Sequence, residues 1–590
     1  KRMASSSSLR DSQILQGSLI RAHGGELVNL LREGSDLEKL HALASQSSSL
    51  RLKPRQLCDL EMLMNGGFSP LQGFMTEEQY NAVVHKMRLP SGHVFPMPIT
   101  LDISEKQAET IKVGDAIALR DEDQRLLAVL YVESKWLPDK KVEAQHVFGS
   151  PDDVCHPSIK YLFEEADAVY IGGRIDGASL PVHYDYTEHR LTPAEMRKQI
   201  KRMCWSRVVG FQTRNPMHRS HREVTMRAAR EAKANILIHP VVGMTKPGDV
   251  DHYTRVRCYK EVLKTYPPGM ATLSLLPLAM RMAGPREALW HAIIRQNYGC
   301  THFCIGRDHA GPGKNREGKD FYGTYEAQEL VKAHANDIAI TPLYFKTMFY
   351  VEERGEYCTE EEAEGLTKRG ISGTELRRRL YRGIPIPSWF SFPKVVKILQ
   401  QTYPPRHRQG FTIMFTGFSG AGKSTLANAL LVALNEDGTR PVTVLDGDVI
   451  RTHLTAELGF SKEDRDKNIR RVGYVSSVIT RSRGIAIVAC IAPYEKARNY
   501  VRDLVSAHGG FVLVHVATPI KVCEQRDPKG LYTKVRAGEI TGFTGIDDPY
   551  EQPTKPDLYI DTSKCSVRQA VSQIILHLEQ EGYLAYSPEF

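Results

Sequence analysis

FTIMFTGFSGAGKSTLANALLVALN, residues 411–435, decides the fold of the C-terminal third. Phe411–Thr416 is an apolar run rich in strand formers, and Lys423–Asn435 has the spacing of a helix. Between them Gly417–Ser424 meets the pattern G-x-x-x-x-G-K-[ST] in full. Glycines let backbone N–H groups curl round a phosphate, and the helix N-terminus adds the positive end of its dipole. Lys423 would supply a point charge for β/γ-phosphates, and the Ser424 hydroxyl can ligate Mg²⁺. The candidate ATP site here is Gly417, Ser419, Gly420, Ala421, Gly422, Lys423, Ser424 and Thr425. A chance glycine-rich turn would lack the strand before it and the helix after it.

Downstream, strand Val442–Leu445 ends at Asp446-Gly447-Asp448, which puts two carboxylates at a strand's carboxyl end, where α/β sheets hold ligands. Asp448 is the candidate proton acceptor or metal-shell carboxylate, with an ordinary Asx turn as the plain alternative. Arg451, Arg465 and Asn468 form a polar group able to grip a second anionic nucleotide, unless they are surface ion pairs. Strands Ile485–Cys490 and Phe511–Val516 continue the α/β unit, expected over 410–590.

Two stretches here, LDGDVIRTHLTAELGFSKEDRDKNIRRV from Leu445 and CEQRDPKGLYTKVRAGEITGFTGIDDPYE from Cys523, resemble the adenylylsulfate kinase family. The likeness covers nearly all of 410–583. It implies that Asp446, Asp448, Arg451, Phe460, Arg465 and Asn468 surround adenylyl sulfate. It also implies that Lys529 and Phe543 hold or stack a nucleotide under a lid, Leu531–Phe543. The chain departs from the family at Val449, where Asn is usual, and at Ala492, where a serine that carries phosphate in some members is usual. Phosphoryl transfer by positioning and electrostatics needs no phosphoenzyme.

A second signature, QTRNPMHRSH, spans Gln212–His221 between a strand, Val208–Phe211, and a helix, Arg219–Lys233. It concentrates an amide, a hydroxyl, two arginines and two histidines. His218 and His221 stand i and i+3, on one helix face, where they can stabilise charge on a pentacovalent phosphorus and a departing pyrophosphate. A zinc pair is the rival, but HExxH is absent and no third ligand is evident; a structural histidine pair is the other. Gly306-Arg307-Asp308-His309-Ala310-Gly311 follows strand His302–Ile305, and its small residues let an adenine or ribose approach the backbone.

Together these motifs resemble the ATP sulfurylase family, as do GGFSPLQGFM (66–75), ISGTELRRRL and PIPSWFSFPKVV, so the likeness covers about 24–402. It implies that Gln212, Arg214 and the Ala310 backbone bind sulfate. Thr213, Arg214 and Asn215 would line the reacting phosphate, with His218 and His221 at the transition state. ATP would be held by Gln212, Thr213, Asn215, Gly306, Arg307, Asp308 and His309, with Met348 near the adenine. Phe345 matches a residue tied to substrate-dependent switching.

The organisation follows. Residues 1–23 read as a flexible tail, Ser-rich and without acidic residues over Lys1–Arg10. A β-rich domain with some helix spans 24–183, and alternating strands and helices over 184–343 predict a Rossmann-like parallel sheet. A small α/β subdomain (344–402) and a Pro-rich basic linker (403–409) precede the P-loop unit. The fold class is therefore multidomain α/β.

A length of 590 residues exceeds one hydrophobic core, and a net charge of +9 without clustered basic and aromatic residues argues against nucleic acid as a partner. No run approaches the roughly 18 apolar residues of a membrane span. Ten scattered cysteines without metal-like spacing suit a reducing, cytoplasmic setting. The expected reaction is ATP-dependent adenylylation of sulfate, then 3′-phosphorylation of the adenylyl sulfate, with Mg²⁺ accompanying ATP. The protein partners expected are copies of itself. Two alternatives stay open: a C-terminal domain serving as an allosteric sensor, and a sulfurylase running in reverse to make ATP.

Overall fold

The computed structural model describes residues 19–585, so most of the expected tail lies outside the described residues. Residues 19–23, assigned to that tail from the sequence, are packed instead. The His23 N–H donates to Asn297 Oδ1 (2.8 Å), its Nε2 lies 2.7 Å from Val94 O, and Arg197 Nη1 donates to Ile20 O (2.8 Å). Contacts divide the chain into two compact units, 19–371 with 387–398, and 372–386 with 399–585.

The first unit opens with a seven-stranded mixed sheet centred on the long strand Val169–Gly177. Leu126–Tyr131, Gly73–Phe74, Leu101–Ile103 and Ser134–Trp136 all pair with it antiparallel. Helices such as Pro54–Met64 and Glu77–Lys86 cover this sheet. GGFSPLQGFM is a docking turn: Asn297 Nδ2 donates to Gly67 O (3.0 Å) and Ser69 O (3.2 Å), and Ser69 Oγ accepts the Val28 N–H (2.9 Å).

A second sheet of this unit is parallel throughout, in the order Ala271–Leu273, Asn235–Ile238, Val208–Phe211, His302–Ile305, Thr341–Tyr344. Counted along the chain that is 3-2-1-4-5, with the reversal between Val208–Phe211 and His302–Ile305. Strands 235–238 and 271–273 stop short of the expected 236–242 and 272–278. Strand 235–238 ends two residues before Pro240, which has no N–H for a ladder, while the chain after strand 271–273 still pairs irregularly, Leu276 N donating to Pro240 O (2.9 Å). Helix Gly284–Asn297 is buried along nearly its whole length, which is why its apolar pattern shows no clear face. A three-stranded antiparallel sheet, Glu356–Thr359, Met348–Val351 and Lys368–Arg369, follows.

The second unit holds another all-parallel sheet, in the order Val442–Asp446, Ile485–Ala489, Phe411–Thr416, Gly510–Val516, Leu558–Ile560. Its strands are near-continuously apolar because helices cover both faces. Helix Gly373–Arg382, expected in the small subdomain, packs with this unit. The presumed linker is also held: Arg406 Nη2 donates to Tyr583 Oη (2.7 Å) and Arg440 Nη1 to Gln409 O (2.6 Å).

Candidate active sites

In doubly wound sheets, ligands bind beyond the carboxyl ends of the strands where the strand order reverses. In the first unit that point lies between strands 208–211 and 302–305, and the two sequence signatures emerge from those two strands. Gln212–His221 leaves one and Gly306–Gly311 the other. Phe345 leaves the neighbouring strand, and its N–H donates to Ile305 O (3.1 Å). Met348 begins the next strand and is half-buried.

Within the first loop, Thr213 Oγ1 accepts the Asn215 N–H (3.1 Å), and Asn215 O accepts the Tyr259 hydroxyl (2.8 Å), which ties the turn to helix His252–Leu263. Gln212 Nε2 lies 3.6 Å from Met280 Sδ. Arg214 is ion-paired with Asp249, which also accepts the Lys246 N–H at 3.1 Å. The sequence showed no sign of Asp249, since nothing in its neighbourhood announces a partner 35 residues upstream.

His218 is the N-cap of helix Arg219–Ala232 rather than a residue on its face, a correction to the i, i+3 helical reading. The two rings still meet, with centroids 6.0 Å apart, because the His218 N–H donates to His221 Nδ1 (3.1 Å). That bond requires a lone pair on His221 Nδ1, so the neutral ring carries its proton on Nε2. His218 Nδ1 lies 2.8 Å from Ser391 Oγ and its ring 4.6 Å from Phe390. Burial lowers the His221 pKa to about 4; burial together with His221 lowers His218 to about 3. Both rings are therefore neutral hydrogen-bonding groups near pH 7. Ser391 stands in the PIPSWFSFPKVV stretch, and only its long-range contact reveals it.

Gly306 opens the second loop, Arg307 and Asp308 are exposed, and His309 and Ala310 are half-buried. His309 Nε2 lies 3.0 Å from His291 Nδ1. No group of three metal-ligating side chains exists among the described residues, so nothing supports zinc at the histidine pair.

In the second unit the phosphate loop lines a cavity of about 860 Å³. Gly417 has φ 149° and a Cβ there would stand 2.4 Å from Val516 O, so the loop can leave its strand this way only without a side chain. Gly420, Ala421 and Gly422 carry the turn into helix Lys423–Asp437, on whose first turn Ser424 and Thr425 lie. Lys423 Nζ donates to Gly417 O (3.0 Å) and Phe418 O (2.7 Å), and Tyr532 Oη donates to Ser419 O (3.0 Å). Burial lowers the Lys423 pKa to about 8. The Ser424 hydroxyl donates to Asp446 Oδ2 (2.6 Å), a hydroxyl–carboxylate pair of the kind that holds Mg²⁺ beside a nucleotide.

Asp448 and Lys529 face one another across the cavity as an ion pair, both largely exposed. Arg451 stacks over Phe460, 4.3 Å from the ring centroid, and donates to Gly459 O (3.1 Å). Two other expected nucleotide contacts line the cavity with much of their bonding capacity already committed. Arg465 donates to Phe460 O (2.9 Å), Asp548 Oδ2 (2.7 Å), Thr544 and Gly542. Asn468 Oδ1 accepts the Thr455 hydroxyl (2.7 Å). Phe543 packs edge-on against Tyr532 at 5.0 Å, and the expected lid 531–543 is a short helix, Leu531–Arg536, followed by turns. Ala492 is buried with φ 45°, and its carbonyl accepts from Arg498 Nη1 (2.7 Å).

Comparison with known proteins agrees with this geometry. Family models match as PUA-like domain (20–180), ATP-sulfurylase (187–402) and adenylylsulphate kinase (409–561). A sulfate adenylyltransferase of Neurospora crassa is 53% identical over 567 residues, covering 95% of this chain and 99% of that one. One from Mycosarcoma maydis is 52% identical over 570 residues, with 95% and 99% covered. Among solved structures, a hexameric APS kinase from Thiobacillus denitrificans is 38% identical with a TM-score of 0.78, covering 96% of this chain and all of that one. The chain thus belongs to the sulfate adenylyltransferase family with an adenylylsulfate kinase domain behind the sulfurylase, an enzyme that makes adenylyl sulfate and then its 3′-phosphorylated form.

Proposed function

We propose that the enzyme runs forward, sulfate entering at the Gln212–His221 loop and the finished 3′-phosphoadenylyl sulfate leaving from the P-loop cavity. The observation that carries this reading is the intact pair of sites. Two loops converge at the reversal point of one parallel sheet, and a complete phosphate cradle follows the central strand of another, with Asp446 and Asp448 at the carboxyl end of its edge strand.

In the first site Arg214, Gln212 and the Ala310 amide hold sulfate, while Thr213 and Asn215 line the α-phosphate of ATP. Gly306, Arg307, Asp308, His309 and Met348 hold the rest of the nucleotide. A sulfate oxygen attacks the phosphorus in line, forming the S–O–P bridge as the bond to pyrophosphate breaks. His218 and His221, neutral at working pH, stabilise the growing charge by hydrogen bonding, not as cations. The mixed anhydride is high in energy, so this step lies uphill.

In the second site Lys423 and the loop amides hold the β/γ-phosphates of a second ATP, and Ser424 and Asp446 are the residues that would hold Mg²⁺. That ion neutralises phosphate charge when bound. Asp448 accepts the ribose 3′-hydroxyl proton as the γ-phosphoryl group transfers. To do so it exchanges Lys529 for substrate, and an exposed pair gives way at a cost of about 1 kcal/mol or less. Removing adenylyl sulfate in this way pulls the first step forward.

The enzyme acts as a homo-oligomer in the cytoplasm on this reading. Similarity to a hexameric protein supports assembly, and cysteines that are all unpaired support a reducing compartment. Light scattering on the purified chain tests assembly, and a monomer would refute it. The catalytic reading is tested by supplying sulfate, MgATP and pyrophosphatase: accumulation of 3′-phosphoadenylyl sulfate is expected. Product stalled at adenylyl sulfate would favour a silent C-terminal domain.

A further inference from the structure

The turn 306–311 contains two non-glycine residues in the left-handed region, Asp308 (φ 49°) and Ala310 (φ 55°). Such a residue costs about 1–2 kcal/mol and persists only where its surroundings hold it. Gly311 admits the shape, since a Cβ there would lie 1.9 Å from Asp308 Oδ1. The backbone ties are few: Asp308 N to Thr324 O at 2.9 Å, and Gly284 N to Ala310 O and Gly311 N to Asp308 O, both long at 3.3 Å. The Ala310 N–H itself donates to no protein group among the described residues.

The side-chain tie from this turn to the core is His309, whose Nε2 lies 3.0 Å from His291 Nδ1. His291 is wholly buried on helix Gly284–Asn297, and its other nitrogen, Nε2, has no hydrogen-bond partner among the described residues but lies 3.4 Å from Glu287 Oε1, within the field of that carboxylate. Glu287, also wholly buried, accepts the N–H groups of Arg281 (3.0 Å) and Ala283 (2.8 Å), which favour its charged form. Two neutral imidazoles bond only if one offers a proton and the other a lone pair. The carboxylate draws the His291 proton to Nε2, leaving Nδ1 bare, so His309 donates from Nε2. Burial lowers the pKa of both rings, in keeping with a neutral pair.

We propose that His291 is a positioning residue for adenylyl transfer: fixed in one tautomer by Glu287, it clamps His309 and so keeps the strained turn presenting the Ala310 amide to sulfate. This rests on the sulfurylase reading of the site. The full-length protein carrying His291→Phe keeps a ring of similar size but no acceptor. It should show a sulfate KM raised about 10–100-fold, with its kinase step on added adenylyl sulfate unchanged. His291→Asn, whose Oδ1 stands in for Nδ1, should recover most of that loss. A sulfate KM at the wild-type value in His291→Phe, or equal impairment in both variants, would overturn the proposal. Should His291→Phe be insoluble, His309→Gln, which keeps a donor, must outperform His309→Phe, and equality overturns the clamp. Wild-type protein assayed alongside separates the layers. If it releases no pyrophosphate from ATP with sulfate, the sulfurylase reading fails; if it does and the variants are indifferent, only the clamp fails.

Discussion

Lys423 carries a pH signature that few other residues of the chain could imitate. Its ammonium is buried against Gly417 O and Phe418 O, and burial brings its pKa down to about 8. On the proposed reading the charged form holds phosphate, so the group is competent below that value and loses its proton as pH rises through it. The kinase kcat/KM for MgATP should therefore fall above pH about 8, by about tenfold per unit. Lys423→Arg should move that limb upward, whereas an unchanged limb would assign it to another group. His218 and His221 behave oppositely. With pKa values of about 3 and 4 they stay neutral throughout, so the sulfurylase step should show no imidazole limb between pH 6 and 8. A limb centred near 6.5 would mean that a cationic histidine acts there.

At the scale of elements, Arg465 joins helix Lys462–Arg481 to the turn at 542–548 that carries Phe543. Arg465→Ala should release that turn, raising the adenylyl sulfate KM at least about tenfold and exposing 537–548 to proteolysis, with the sulfurylase step untouched. Unaltered KM and cleavage would show that the turn holds by itself. Asn297 plays the equivalent part in the first unit, bonding His23, Gly67 and Ser69. Asn297→Ala should destabilise that unit by about 2–4 kcal/mol in urea unfolding, because it strands buried polar partners. A change under about 0.5 kcal/mol would refute the docking role. These elements also show what could be read in advance. Strands 208–211, 302–305 and 411–416 were legible because each is a short, mostly apolar run that ends at a candidate site loop. Asp249, Ser391 and His291 were not, since their meaning comes from contacts made across 35, 173 and 18 residues. The block 344–402 was legible as a small α/β segment, but the packing of its helix 373–382 with the kinase unit was not, because a helix's own pattern does not name the surface it covers.

For the whole molecule, each unit has its own core: one built around Trp290, Phe303 and Ile171, the other around Phe411, Ile487 and Val514. Separate cores and separate sites imply that the two activities fail independently. His218→Ala should abolish adenylyl sulfate formation and spare the kinase, and Lys423→Ala the reverse, each by more than about 100-fold. Mixing the two variants should restore the final product at a rate that climbs with protein concentration, as a freely diffusing intermediate requires. The most direct test follows labelled sulfate with MgATP and pyrophosphatase through wild-type protein and Lys423→Ala in parallel. Wild type should accumulate labelled 3′-phosphoadenylyl sulfate while Lys423→Ala stops at adenylyl sulfate; the phosphorylated product from Lys423→Ala, or none from wild type, would contradict the account.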